Sequence, residues 1–292
     1  MKPYLTDFNR FMARQNFKNE KELQAFLETF NGKSLDDLPI MNLTPEEQAE
    51  DLVFEAYELP VAKAKKNIEK ALELNPNCIE AYEYLASREK KAEKALAFLE
   101  KGIVIGREKF GGKFLKENKG VFWGIHETRP FMRCLFQKAE MLVLKEKTAE
   151  GAAIMEEILE LNERDNQGVR FHLLSALLTL DEIEKFKKYD KLFAEETNST
   201  QMLYPRALFA FKTEGDSTNA RKMLKKAFKE NPFVVQFLLD DNFNFQVVGS
   251  YSPGSPEEAN VYVEHGLIPW YKTENAMEWM VKTMEDYLKK LL

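Results

Sequence analysis

Along most of the chain, apolar residues recur three and four positions apart. That interval gathers side chains on one face of an α-helix. Two segments show it most sharply. Ala64, Ile68 and Ala71 are followed by Asn75-Pro76, and Ala220, Leu224 and Ala227 by Asn231-Pro232. In both, small, large and small residues form one stripe, and Asn-Pro falls four positions after the last Ala. The alanines let a neighbouring helix approach closely, and the large residue fills the space between. Proline stops the helix and suits the first turn of the next, where its missing N–H costs nothing.

The pattern repeats. Tyr204, Ala207, Leu208 and Phe211 form a first helix and Gly215-Asp216 a turn, ahead of the stripe from Ala220 to Pro232. Leu135, Ala139 and Leu142 precede Gly151, Met155 and Ile158 in the same way. Phe171–Leu180 and Phe186–Phe193 make another pair, and Tyr82, Leu85 and Ala86 precede Ala95, Leu99 and Gly102. Unit ends near 163, 198 and 232 lie 35 and 34 residues apart. The small–large–small–Pro signature and this spacing resemble the tetratricopeptide repeat, whose period is about 34 residues. The resemblance implies an all-α fold, a tetratricopeptide-like helical-hairpin superhelix (α-solenoid) with helical caps.

One stretch interrupts the period. The unit ending near 107 is separated from the one ending near 163 by 56 residues, which leaves room for an insertion rich in glycine. The expected organisation is an N-terminal helical cap at 1–44, with Asn31-Gly32 as a helix stop, and two hairpins at 45–106. The glycine-rich insertion at 107–128 follows, then three hairpins and a short capping helix at 129–240, and a C-terminal cap at 241–292. In that last cap, Ser255-Pro256-Glu257-Glu258 reads as a strong helix start. A final helix over about 275–291 places Met277, Met280, Met284 and Leu288 on its inner face.

The segment Asn231–Leu239, then Ser250–Ala259, Trp270 and Ala276–Trp279, together with Gly106–Arg133, resembles the suppressor-of-tumorigenicity repeat family. The resemblance covers roughly residues 60–282 and implies fold more than function. Animal members carry membrane segments, and no stretch of this chain approaches the 18 or so apolar residues a span needs. No catalytic residue carries over.

Composition narrows the function classes. The net charge of −6 disfavours a general nucleic-acid binder. Cys78 and Cys134 form neither a disulfide framework nor a metal pair, and read as small core residues of a cytoplasmic protein. His126, His172 and His265 have no second His at the helical zinc spacing. His172 reads as a core or groove histidine. Gly106–Phe114 comes near a phosphate loop, but the first glycine of the required register is Arg107 and its Ser or Thr is Phe114. The expectation is a protein with no catalytic residues, metal or cofactor.

Two surfaces are candidates for binding. Residues 106–133 carry seven basic against three acidic residues, interleaved with Phe110, Phe114, Phe122, Trp123 and Phe131. Arginine and aromatic residues together suit a binding hot spot; equally, the aromatics pin a loop to the helices and the lysines keep it solvated. The second surface is the concave groove of the first helices, where Arg133, Arg170 and Arg206 fall in successive hairpins. Arginine captures carboxylates bidentately, although pairing with Glu127, Glu140 or Asp165 would use it internally. Only Arg206 matches the carboxylate-clamp positions of peptide-tail binders of this fold.

The site residues expected are therefore Trp123, His126, Arg129, Arg133, Arg170 and Arg206, in a scaffold that binds a peptide or acidic protein segment. Reversal of Arg133 and Arg170 to Glu is expected to leave the fold intact and abolish capture. The alternatives are an enzyme or enzyme subunit with an active-site loop at 107–133, near His126, Glu127 and Arg129, and an RNA binder stacking bases on Trp123. Self-association through the aromatic carboxy-terminal segment stays open.

Overall fold

The computed structural model describes residues 6–15, 17–29, 31, 42–195, 198–240 and 242–289. Gly32, part of the 1–44 cap and residues 290–292 lie outside the described residues. Among the described residues the secondary structure is helical, apart from one isolated antiparallel bridge between Val121 and Asn162. The chain divides into two compact units, Met1–Lys109 and Phe110–Leu292.

The first unit contains α1 (Thr6–Ala13), α2 (Glu20–Glu28) and two hairpins, α3 (Pro45–Ala56) with α4 (Val61–Leu74) and α5 (Ile79–Arg88) with α6 (Ala92–Lys109). Helix α3 begins with a capping box: Thr44 Oγ1 accepts from the Glu47 N–H, and Glu47 Oε2 accepts from the Thr44 N–H. The stripe read from the sequence is the core. Ala64, Ile68 and Ala71 pack with Ala49, Val53 and Ala56 and with Cys78, Ala81 and Tyr84. Helix α1 is tied to α3 by Arg10, which reaches Glu50 and Asp51 at 2.8 Å each.

The second unit opens with the segment expected as an insertion. Helix α6 runs to Lys109, so the helical period survives the first residues of that segment. Then come α7 (Gly112–Asn118) and two single 3-10 turns, Phe122–Gly124 and His126–Thr128. The segment is ordered by its aromatics. Phe110 lies 5.3 Å from Phe114 and 6.1 Å from Phe131, ring to ring, and Phe114 lies 5.7 Å from Phe122. The Thr128 hydroxyl donates to the carbonyls of Phe122 and Ile125, and the Glu163 N–H to the Gly120 carbonyl.

Three hairpins follow: α8 (Arg129–Leu144) with α9 (Thr148–Leu161), α10 (Val169–Thr179) with α11 (Ile183–Leu192), and α12 (Thr200–Glu214) with α13 (Thr218–Glu230). Their crossings depend on small residues. A Cβ on Gly151 of α9 would lie 2.7 Å from the Ala139 carbonyl oxygen and 2.9 Å from Val143 Cγ2. Only glycine permits that approach. Leu224 is fully buried between Ala220 and Ala227, as the stripe requires.

The last helices are α14 (Phe233–Leu238), α15 (Pro256–Lys272) and α16 (Ala276–Leu288). Ser255 caps α15 by accepting from the Glu258 N–H. On α16 the buried residues are Ala276, Trp279, Met280, Thr283 and Met284. Met277 is half-buried and Leu288 exposed. The expected methionine stripe is rotated because Trp279 takes the inner position, stacking on Phe211 at 4.4 Å and donating from Nε1 to Asp216.

Helix α15 does not extend the row of hairpins. Besides α16, it packs on α10, α12 and α14, so it lies against the first helices of two preceding hairpins. Glu258 is buried and accepts from Thr200 Oγ1 at 2.8 Å, Asn231 Nδ2 at 3.1 Å and the Gly254 N–H at 2.7 Å. The Asn of the Asn-Pro terminator thus anchors a helix far along the chain. Tyr262 is buried beside Tyr204 at 5.3 Å and accepts from Trp270 Nε1 at 2.9 Å. Gly266 leaves room for the Tyr262 ring, which a Cβ there would meet at 2.6 Å.

Candidate functional site

The expected site residues do not form one cluster. Arg129 meets Trp123: its Nε donates to the Trp123 carbonyl at 2.9 Å and its guanidinium lies 5.6 Å from the indole centroid. His126 sits in the following 3-10 turn and Arg133 is half-buried on α8. Arg170 Nη1 pairs with Asp165 Oδ2 at 2.7 Å, the internal pairing weighed against its role as a binding residue. Arg206 Nε pairs with Asp190 Oδ1 at 2.6 Å. Arg206 lines a cleft with Leu203, Met223 and Lys226, whereas Arg170 lines a different one.

The Arg170 pair is structural. The Asp165 side chain has 0% exposure, and its residue has a φ of 46°. Oδ1 accepts from the Val169 N–H at 2.7 Å and Oδ2 from the Arg170 N–H at 3.0 Å, which caps α10. Burial pushes the Asp165 carboxyl above its usual range, opposed by the hydrogen bonds and charge of Arg170. Arg170 also lies 4.1 Å over the Phe171 ring. Reversing Arg170 would remove the partner of a buried carboxylate, which sets a stability cost against the expectation of an undisturbed fold.

The groove reading is also modified. Over α10 and α12 the face of the first helices is covered by α15. What remains beside it is a pair of clefts that share His172 and His265. These two rings lie 4.5 Å apart, and His172 meets Phe136 edge-on at 4.9 Å.

His265 is held at both nitrogens. Nδ1 lies 3.0 Å from Ser175 Oγ and Nε2 lies 2.8 Å from Gln201 Oε1. With an amide oxygen facing Nε2, that nitrogen carries the proton and Nδ1 accepts from the serine hydroxyl. Burial and the neighbouring His172 hold His265 well below the usual histidine range, and burial lowers His172 to about 4. Both rings are neutral near pH 7. A Ser–His–Gln chain has the outline of a nucleophile, base and orienting group. Ser175, however, is 3% exposed in the middle of α10, and its hydroxyl positions the ring.

The first cleft is a partly enclosed cavity of about 80 Å³. Its wall is apolar over Val143, Leu144, Met155, Ala176 and Ile268, with Glu140 and Glu264 the acidic groups. Glu140 Oε1 is 3.4 Å from His172 Nδ1. Burial, with the charge of Glu264 added, raises the Glu140 carboxyl to about 7. The second cleft lies at the start of α10 and includes Gln167, Arg170, Gln201, Tyr251 and His265. Gln167 and Gln201 each hold a buried amide atom, Oε1 and Nε2 respectively, with no hydrogen-bond partner among the described residues.

Sequence reasoning missed this site because its residues come from helices far apart in the chain. Glu140, His172, Gln201 and His265 look unremarkable one by one. The only local signal was a histidine within the apolar run of α10.

Among the described residues, no group of three or more His, Cys, Asp or Glu is arranged to hold a metal ion. No described helix is long and apolar enough to cross a membrane. Cys78 and Cys134 are buried and are not joined in a disulfide.

No known family's profile matches the chain, and no curated protein matches it. Among solved structures, the chain is similar to YrrB, described as a TPR protein with an unusual peptide-binding site. The identity is 19%, the match covers 70% of this chain and 91% of that one, and the TM-score is 0.46.

Proposed function

We propose that this chain is a protein-interaction module that binds an extended segment of another protein in the cleft between the start of α10 and α15. One observation carries the reading: Gln167 and Gln201 line the same cleft, and each holds one buried amide atom, Gln167 Oε1 and Gln201 Nε2, without a partner among the described residues. A buried polar atom left unpaired costs about 1–3 kcal/mol. In either orientation of the Gln201 amide, one polar atom faces His265 and the other stays unpaired. A peptide group offers one N–H and one C=O, the complement of this pair. Tyr251 and Val261 add apolar wall, and Arg170 is already held by Asp165. The segment is thus recognised through its backbone at this point rather than through an acidic side chain.

The test is selection of a displayed library of random peptides against wild type and against the Gln167→Met/Gln201→Met double variant. Methionine keeps the side-chain volume and removes both amides. Enrichment by wild type that the variant loses supports the reading. Equal enrichment by both, or none by either, overturns it.

A further inference from the structure

The cavity next to that cleft holds an arrangement that peptide-backbone binding does not use. It is apolar along Val143, Leu144, Met155 and Ile268, and acidic at Glu140 and Glu264. Neither carboxylate has a lysine or arginine partner among the described residues. Glu140 faces His172, whose ring is neutral near pH 7, and the like charge of Glu264. Helix α9 supplies Met155 to the wall, α10 supplies His172, Ser175, Ala176 and Thr179, and α15 supplies Glu264, His265 and Ile268. No element facing Glu140 in this cavity brings a permanent positive charge.

A partly buried carboxylate beside a second one, with no counter-charge, is destabilised as an anion. Two outcomes relieve it. The group takes up a proton, or a cation enters. Beside the two carboxylates the wall is apolar, so a cation whose charge sits at the end of a hydrocarbon stem matches both parts of the cavity.

We propose that this cavity is a specificity pocket for a lysine side chain, its methylene stem lying along Val143, Leu144 and Ile268 and its ammonium between Glu140 and Glu264. That the cation is carried by a protein segment rests on the reading above, because the pocket adjoins the peptide cleft at His172 and His265. The stem replaces water against the apolar wall, and each methylene so buried adds to affinity. The ammonium supplies the missing charge and keeps Glu140 ionised. The partner segment is thereby basic at this position, whereas arginines in the sequence suggested an acidic one.

The pocket has its own pH signature. Glu140 holds its proton up to about pH 7, so a cation must displace that proton below this pH. Lysine-side-chain affinity rises about tenfold from pH 6 to pH 8, following the ionised fraction of a group titrating near 7.

The chain has three histidines, and the ring signals of His172 and His265 report on the pocket by NMR while His126 serves as an internal reference. The first probe is n-butylammonium, with 1-butanol as its uncharged counterpart. The expected result is movement of the His172 and His265 signals by n-butylammonium alone, with affinity reduced at least tenfold in Glu140→Gln. Glu264→Gln, at an exposed position, weakens binding without threatening the fold. Equal shifts from 1-butanol, or none from n-butylammonium at pH 8, overturn the lysine pocket whatever the status of the peptide cleft. The second probe is acetyl-Ala-Lys-Ala-amide. If it binds no tighter than n-butylammonium, or if its advantage survives in Gln167→Met/Gln201→Met, the peptide-cleft reading fails while the cation pocket stands.

Discussion

The crossing of α8 and α9 offers the sharpest check on the packing argument, because two effects of Gly151→Ala oppose each other. Gly151 lies inside α9, where alanine is favoured over glycine by about 0.8–1 kcal/mol in helix propensity. The new Cβ would stand 2.7 Å from the Ala139 carbonyl oxygen and 2.9 Å from Val143 Cγ2. The first contact is to backbone and cannot be relieved by a rotamer change. Relief requires α9 to retreat from α8 by about half an ångström or more, which loosens Ala139, Ala152 and Met155, all buried at the crossing. Overpacking of this kind costs about 1–3 kcal/mol. If the steric cost is taken at its middle and the propensity gain subtracted, the net is about 1 kcal/mol of destabilisation. For a unit of this size that lowers the melting midpoint by about 2–4 °C. Tryptophan fluorescence is the assay of choice, because Trp123, Trp270 and Trp279 all lie in the unit Phe110–Leu292. Gly124→Ala, with no atom within 4 Å of the new Cβ, is the control and should be neutral. A Gly151→Ala midpoint above wild type would refute the reasoning, since propensity would then outweigh a contact that yields freely.

Arg170→Glu sets a second carboxylate against the fully buried Asp165, and breaking such a pair costs about 3–5 kcal/mol. Denaturant unfolding followed by tryptophan fluorescence should register it, and an unchanged midpoint would show the pair to be dispensable. Glu140 makes a pH-dependent prediction. Its folded-state carboxyl is raised to about 7 from an ordinary 4.5, so the folded state binds more protons and stability falls as pH rises from about 4.5 to 7. Glu140→Gln should therefore melt above wild type at pH 8, and the gap should close below about pH 4.5. A gap independent of pH would remove Glu140 as its origin. His172, lowered by burial, acts in the opposite sense between about 6.5 and 4, so the difference between wild type and variant is the informative quantity.

The hairpins were legible because their signal is local. Ala64, Ile68 and Ala71, like Ala220, Leu224 and Ala227, lie on one face by spacing alone, and each stripe is buried as expected. The start of α15 at Pro256 was equally plain from Ser255 and Glu258. Where α15 lies was not legible, since Glu258, Tyr262 and His265 meet partners that no periodicity connects to them. The partners of the arginines were not legible for a related reason. Sequence shows a guanidinium but not its carboxylate: Asp165 reaches Arg170 from the turn before α10, and Asp190 reaches Arg206 from helix α11. The basic, aromatic segment at 107–128 showed its composition but not its order, which comes from four phenylalanine rings converging on one another.

The position of α15 also matters during biosynthesis. Ser175 and His265, which meet at 3.0 Å, are 90 residues apart. At a synthesis rate of about 5–20 residues per second, α10 leaves the ribosome about 5–20 s before its cover exists. Through that interval the apolar surface of α10 and α12 that ends beneath Tyr262 and Val263 faces solvent, long after each hairpin has had time to form. The nascent chain thus passes through a stage with folded hairpins and an unfinished face.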